Sequence, residues 1–199
     1  MLDPFGRFNS QDEQEWKELI RAYLACTTFA DWNTGRVIEA LDNGPYAENT
    51  IVIFWSDNGY HCGEKNHWEK NTLWEQAARV PMAVRIPGNK NNGQQCLEPV
   101  SLVDLYPTLA DYCNLQTRKG QLQGRSLRRF LEKPGKYFGS TALTTFGEGF
   151  ASVRDARYRY IVYGDGSEEL YDHESDPFEL NNMIADPAIK EVVDRLRAA

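Results

Sequence analysis

The run Thr50-Ile-Val-Ile-Phe-Trp-Ser56 constrains the fold more than any other stretch of this 199-residue chain. It is β-branched or aromatic throughout its interior, with no charge, no Gly, no Pro and no polar alternation. Such a run predicts a strand buried on both faces, as in the parallel sheet of an α/β protein, with helices on each side. A second apolar strand, Val80–Ile86, stops at Pro87-Gly88 and leads into the polar loop 89–95. The segment Asp12–Ala25 places Trp16, Leu19, Ile20, Tyr23 and Leu24 at helical spacing behind an acidic first turn. Asp31–Leu41 repeats the pattern with Trp32, Val37, Ile38 and Leu41 and runs into Asn43-Gly44-Pro45, a strong stop. These are predicted as two helices joined near Thr27–Ala30, each with a buried face. Val103–Cys113 is helical in spacing, and its internal Pro107 sets the expected start of that helix.

The character changes after residues 133–136, Lys-Pro-Gly-Lys. Thr141–Phe146, Ala151–Arg154, Tyr158–Tyr163 and Glu169–Tyr171 read as short strands broken by Gly147, Gly149 and Gly164-Asp165-Gly166. That series predicts an antiparallel meander, closed by a helix over Pro187–Ala198. The chain therefore divides into an α/β portion, 1–134, and a small subdomain, 135–199. The aromatic cluster Tyr158–Tyr163 is expected to be sheet core rather than a sugar platform.

A net charge of -7 with scattered Lys and Arg opposes a nucleic-acid footprint, which needs a basic face. No window approaches the ~18 consecutive apolar residues of a membrane span. Met1–Ser10 lacks the basic start, apolar run and cleavage site of a signal peptide. The expectation is a chain that neither crosses a membrane nor directs its own export. Cys26, Cys62, Cys96 and Cys113 form no CxxC pair, so zinc-finger chemistry is excluded and the redox compartment stays open.

Chemistry concentrates just beyond the first strand, at Ser56-Asp57-Asn58-Gly59-Tyr60-His61-Cys62-Gly63-Glu64. In an open α/β sheet, ligand-binding groups gather at the carboxyl ends of strands. Successive strand residues face opposite ways, so Asp57 and Asn58 can converge on one ion only where the strand ends and turns at Gly59. A carboxylate beside an amide oxygen suits a hard cation such as Ca²⁺ or Mg²⁺. An isolated Asp-Asn-Gly is more often a turn that the Asp merely caps.

The continuation decides between these readings. His67-Trp68-Glu69-Lys70-Asn71-Thr72-Leu73-Trp74-Glu75 follows, then Arg79-Val80-Pro81 and Ile86-Pro87-Gly88. Tyr23-Leu24-Ala25, Asp31 and Gly35-Arg36-Val37 precede the strand. Val103-Asp104-Leu105-Tyr106-Pro107-Thr108-Leu109, Gln123-Gly124-Arg125-Ser126-Leu127, Glu169-Leu170-Tyr171-Asp172 and Asp176-Pro177-Phe178-Glu179 come after it. In this order the motifs resemble the carboxy-terminal portion of the type I sulfatases, on the iduronate-2-sulfatase and choline-sulfatase side of that family. The resemblance implies part of an alkaline-phosphatase-like sheet with flanking helices, followed by the antiparallel subdomain. It implies that Asp57 and Asn58 help bind a calcium ion, although many close members carry His in place of Asn58. Lys70 takes the position whose ammonium contacts the sulfate, where it would offset charge building on the ester oxygens.

His61 and His67 are candidates for substrate contact, because a histidine can protonate a leaving alcohol near neutral pH. The family's usual catalytic histidine lies upstream of the first matching helix, so lining the pocket or packing the turn is the competing role. Glu64 and Glu75 are expected to support the loop, Glu75 closely enough to orient Lys70.

The resemblance also implies a formylglycine nucleophile, made from Cys or Ser in a Cys/Ser-x-Pro-x-Arg motif. No such motif and no Asp-Asp pair occurs in these 199 residues. The expectation is a sulfuric ester hydrolase portion holding part of a calcium and sulfate site and inert alone. It would pair with an amino-terminal portion or self-associate. Full-length relatives are often exported or lysosomal and act on sulfated small molecules or sugars. Two alternatives stand beside this reading: a non-catalytic module that binds sulfated sugars, and a phosphodiesterase or phosphatase relative of the same superfamily. The acidic net charge opposes unaided binding of polyanions.

Overall fold

Residues 13–118 and 120–199 are described by the computed structural model, so Met1–Ser10 and Asp12 lie outside the described residues. The chain gathers into two units, one formed by 1–71 with 79–92, the other by 72–78 with 93–199.

In the first unit a single helix, α1 (Glu13–Asp42), replaces the two helices expected from the sequence. The threonines placed at the expected break do not interrupt it. Thr27 Oγ1 donates to the Tyr23 carbonyl at 3.1 Å and Thr28 Oγ1 to the Leu24 carbonyl at 3.0 Å. Each hydroxyl thus bonds back by one turn, and with no Gly or Pro nearby the helix runs through. It ends where Asn43-Gly44-Pro45 predicts. The expected buried face is not realised, since no residue of α1 is fully buried.

Strand β1 (Val52–Trp55) leads to a small hairpin, β2 (His61–Cys62) and β3 (Trp68–Glu69), which is antiparallel. A fourth strand, β4 (Met82–Arg85), pairs with β1, also antiparallel, in the register Val52↔Arg85 to Trp55↔Met82. The parallel sense expected of β1 is therefore corrected within this unit. A parallel pair needs a crossover of a dozen or more residues, usually a helix; here no long helix intervenes, and the chain re-enters from the opposite end. Burial on both faces is corrected as well, because Phe54 and Trp55 are 46% and 48% exposed. Arg85 grips Asp42 through both guanidinium nitrogens, at 2.7 and 3.2 Å, tying β4 to the end of α1.

The second unit holds α2 (Glu75–Ala78), α3 (Leu105–Tyr112) and α4 (Arg128–Glu132). Its sheet is β5 (Ala142–Thr145), β6 (Ala151–Arg154), β7 (Tyr158–Val162) and β8 (Glu168–Asp172), followed by α5 (Lys190–Arg197). The four strands form the expected antiparallel meander in sequence order. Side-chain alternation sorts its two faces. Val153, Tyr160 and Leu170 align across the strands and pack on Val193 and Leu196 of α5. Ile161 and Tyr171 point the other way and pack on Leu73. The aromatic cluster is thus core, as expected: Tyr160 is 3% exposed and Ile161 not at all. Helix α3 starts at Leu105, with Pro107 inside its first turn, where a missing N–H is harmless.

Two of the quoted motifs meet in this unit. Arg125 N–H donates to Asp104 Oδ1 at 2.8 Å, Leu127 N–H to Thr108 Oγ1 at 2.8 Å, and Ser126 Oγ to Asp111 Oδ2 at 2.5 Å. Gly124 lies so close to Val103 that a Cβ would stand 2.3 Å from its carbonyl oxygen. These segments form a structural joint. Among the described residues no helix is long and apolar enough to cross a membrane.

Candidate functional site

Strand β1 ends at Trp55, and side chains shape the turn that follows. Ser56 Oγ donates to the Asn58 carbonyl at 2.7 Å. Asp57 Oδ1 accepts the Asn58 N–H at 3.0 Å, and Asn58 Nδ2 donates to the Gly59 carbonyl at 2.8 Å. These bonds fix the amide so that Oδ1 faces away from its own backbone partner.

The hairpin β2–β3 then returns the chain. Its loop closes through Gly63 N–H to the His67 carbonyl at 3.0 Å, while Glu64 Oε2 accepts the Cys62 N–H at 2.7 Å. Gly63 sits at φ +118, and a Cβ there would lie 2.9 Å from Trp16 Nε1. The close approach lets Trp16 Nε1 donate to the Cys62 carbonyl at 2.7 Å. Tyr23 stacks on Tyr60 at 5.2 Å, and Tyr60 meets Trp68 edge-on at 5.8 Å, so α1 braces the hairpin in two places.

The hairpin delivers Lys70 to the turn. Lys70 Nζ donates to Asn58 Oδ1 at 3.0 Å, which brings three sequence candidates, Asp57, Asn58 and Lys70, to one place. Just before Lys70, Glu69 is held at φ +81, a conformation that L residues adopt at a cost of about 1–3 kcal/mol. His61 and His67 form a separate pair, edge to face at 5.1 Å; His61 is wholly buried, so its expected contact with substrate is corrected to packing of the turn. Burial, with the Glu64 carboxylate adding to it, raises the Cys62 thiol above its ordinary pKa.

An exposed carboxylate, an amide oxygen and an ammonium make a place where an anion can be held against a positive charge and a hard cation. Asp57 and Asn58 fit Ca²⁺ in donor kind. They offer about two of the 6–8 oxygens such an ion takes.

A second cluster lies in the other unit, where Glu75, His173 and Glu179 bring possible ligand atoms within 4.8 Å of one another. Its chemistry is already satisfied by arginine. Arg159 pairs with Glu75, stands 2.7 Å from Glu179 through Nε, and donates to Leu73 O and Ser152 Oγ at 3.3 and 2.7 Å. Arg154 adds a second guanidinium 3.5 Å from Glu75. Burial alone would raise the Glu75 carboxyl; Arg159, with Arg154 and His173, more than offsets this and holds it below the usual range. Two cations stand where a metal would sit, so this donor set does not fit one. It works instead as a clamp: Glu75 N–H donates to Glu179 Oε2 at 2.8 Å and Trp74 Nε1 to Glu169 Oε2 at 2.8 Å.

Comparison with known proteins agrees with the motif order. The family described as Sulfatase matches residues 2–115, and the one described as N-sulphoglucosamine sulphohydrolase, C-terminal, matches 63–199. The chain belongs to the sulfatase family. A sulfatase of Formosa agariphila is 41% identical over 92% of this chain and 36% of its own length. The choline-sulfatase of Rhizobium meliloti is 29% identical over 88% of this chain and 35% of its own. The solved structure of BT4656 in complex with its substrate D-glucosamine-2-N,6-O-disulfate superposes with a TM-score of 0.79 at 26% identity, over 92% of this chain and 40% of that one. The chain thus spans little more than a third of the length of these relatives.

Within this sulfatase chain, sequence reasoning named Asp57, Asn58 and Lys70, which the structure brings together, but not the clamp. Glu75 was expected to support the loop and to orient Lys70; its partners are instead Arg159 and Glu179. Arg159 and His173 carried no signal beyond the position of Arg159 on a strand face whose neighbours, Ile161 and Tyr171, are apolar.

Proposed function

We propose that this chain is the carboxy-terminal portion of a sulfuric ester hydrolase, in which Asp57 and Asn58 hold part of a calcium ion and Lys70 contacts the sulfate group. The observation that carries the reading is the 3.0 Å contact between Lys70 Nζ and Asn58 Oδ1, which sets an ammonium beside oxygen donors at a strand's carboxyl end. In this reading the calcium, when bound, draws charge from the sulfate oxygens. Lys70 orients the ester and offsets the charge that builds as its bond breaks. His67, only partly buried, lines the pocket, and the wholly buried His61 packs the turn behind it. The division into a catalytic α/β portion, 1–134, and a supporting subdomain, 135–199, belongs to the same proposal.

The attacking group comes from outside these residues, and the chain alone is inert. Substrates are sulfated sugars or small sulfate esters, the class to which D-glucosamine-2-N,6-O-disulfate belongs. The test supplies the chain with the part of the Formosa agariphila sulfatase that its match does not cover and measures release of sulfate from aryl and glucosamine sulfates. Turnover by the mixture, absent from the chain alone and lost with Lys70→Ala, is the expected result. Turnover by the chain alone, or turnover indifferent to Lys70→Ala, would overturn the assignment.

A further inference from the structure

We propose that the basic surface around Phe138, formed by Arg125, Arg129, Lys133 and Lys136 in the second unit, binds a sulfated polysaccharide chain through residues other than Asp57, Asn58 and Lys70. The inference rests on the proposed function for the chemistry of the ligand and on the surface itself for the site.

The acidic net charge hides a strong asymmetry. Residues 118–136 contain seven of the chain's 22 Lys and Arg but only one of its 29 Asp and Glu. Around this segment the carboxylates are already engaged. Asp111 Oδ2 accepts from Arg128 Nε at 2.9 Å, and Glu132 Oε1 stands 3.4 Å from Arg128 Nη1. Glu98 turns both oxygens to the backbone, accepting the Phe138 and Ser140 N–H groups at 2.9 Å each. Arg125, Arg129, Lys133 and Lys136 are exposed, and among the described residues no carboxylate pairs with them.

Aromatic rings hold these cations in place. Arg129 Cζ stands 4.5 Å from the ring centre of Phe130 and 5.0 Å from that of Phe138, and Lys136 Nζ stands 5.4 Å from Phe138. Arg125 Cζ lies 5.9 Å from the Phe130 ring centre. The two rings meet edge to face at 5.0 Å, and Phe130 is 3% exposed, so the support belongs to the folded core. Two positive charges on one ring repel each other, and an anion beside them relieves that repulsion. Next to them Tyr137, 73% exposed, offers an apolar face with a polar tip on which a sugar ring can lie.

The strength of exposed charge pairs decides the size of the ligand. One such pair is worth at most about fivefold in affinity, so a lone sulfate is not held here. A polymer with sulfates on successive sugars engages several cations at once, and each contact after the first is intramolecular. The acidic remainder of the chain does not prevent this, because exposed charges are screened beyond about 8 Å at physiological ionic strength. A sulfated polysaccharide fits these demands and matches the sulfate esters of the proposed function.

The experiment titrates the chain with a sulfated heparin octasaccharide, and with the same octasaccharide after desulfation, by calorimetry between about 50 and 200 mM NaCl. The expected result is binding of the sulfated form alone, weakening steeply with salt. Arg129→Gln, Lys133→Gln and Lys136→Gln together should weaken it by about 10-fold or more and reduce the salt dependence. Lys133→Gln, which leaves both rings and their contacts in place, should weaken it by about two- to fivefold with an unchanged thermal melt. Lys70→Ala should leave the affinity unchanged. No binding at the lowest salt, equal binding of the desulfated form, or affinity indifferent to the triple substitution would overturn the proposal. So would loss of binding with Lys70→Ala, which would assign the contact to the sulfate site. Equally tight binding of single-stranded DNA or of anionic vesicles would overturn it too, by showing a surface without preference for sulfated sugars. Binding that answers to the triple substitution, in a chain that releases no sulfate when completed with the unmatched part of the Formosa agariphila sulfatase, would overturn the proposed function and leave this surface standing. Sulfate release by that mixture, with no octasaccharide bound through these cations, would do the reverse.

Discussion

Arg159 Nε lies 2.7 Å from Glu179 Oε1, and the two side chains are 3% and 0% exposed. A buried ion pair of this kind is weak evidence of net stability, because removing two charges from water offsets most of their attraction. Its force appears when one partner is removed. Glu179 also sits at φ +57, so the backbone that presents the carboxylate is itself held in a sparse conformation. The pair fixes the strand face that receives Leu73 and Glu75.

Removal of Arg159 should therefore cost far more than replacement of the pair. Arg159→Met leaves Glu75 and Glu179 buried without their shared cation and is expected to lower stability by about 3–5 kcal/mol. Arg159→Met combined with Glu179→Gln should be milder than Arg159→Met alone. Urea unfolding of the unsubstituted chain, Arg159→Met, Glu179→Gln and the double variant checks this, and a double variant as damaged as the sum of the two single variants would contradict the coupling.

Glu75 makes the same cluster sensitive to acid. Its folded carboxyl lies below its ordinary value, with the cost of burial outweighed by Arg159, Arg154 and His173. A depressed carboxyl contributes stability that is fully present above the ordinary glutamate range and is lost as pH falls through the folded value. The urea midpoint should hold steady from neutrality to about pH 5 and then fall. Glu75→Gln should flatten part of that fall. An equal acid slope in both proteins would place the effect elsewhere.

The parts of the fold that were readable from sequence are those where one residue's neighbours in sequence decide its environment. The meander is of this kind, because Val153, Tyr160 and Leu170 alternate with polar residues between clear turns. The continuity of α1 was not, because the hydroxyls of Thr27 and Thr28 can either break a helix or bond back into it. The direction of β1 was not either, since an apolar run has no sense of parallel or antiparallel. At the site, Asp57 and Asn58 are adjacent and legible, whereas Lys70 is brought to them by a hairpin that closes through Gly63 and His67 without a two-residue turn signature. The clamp joins Glu75 to Arg159 and Glu179 across most of the second unit, a separation over which composition and spacing carry no information.

The hairpin's own geometry can be tested at Gly63. Its φ of +118 is rarely adopted by L residues, and an added Cβ would press on the Trp16 indole at 2.9 Å. Gly63→Ala should cost about 1–3 kcal/mol through strain and should break the Trp16 bond to the Cys62 carbonyl. Trp16→Phe, which removes only the donor, should cost about 1 kcal/mol. Thermal melts of both variants, with indole proton shifts for Trp16, separate the two effects. Equal losses would mean that the hydrogen bond and not the backbone governs this position.

Calcium binding offers the sharpest test of what this chain holds by itself. Asp57 and Asn58 supply about two of the 6–8 oxygens the ion normally takes, so affinity should be in the millimolar range or weaker. Asn58 Oδ1 is also engaged by Lys70 Nζ at 3.0 Å, and an ammonium at that distance both occupies a ligand atom and repels a cation. Two substitutions should then act in opposite directions. Asp57→Ala removes the only formal negative charge of the pair and should abolish what binding there is. Lys70→Met frees Asn58 Oδ1, removes a positive charge and should tighten binding by several-fold. Calorimetric titration with CaCl₂ at fixed ionic strength reads both. Tight binding that survives Asp57→Ala would place the ion elsewhere in the chain. Binding weakened by Lys70→Met would show that Lys70 holds the turn in shape instead of competing for its oxygen.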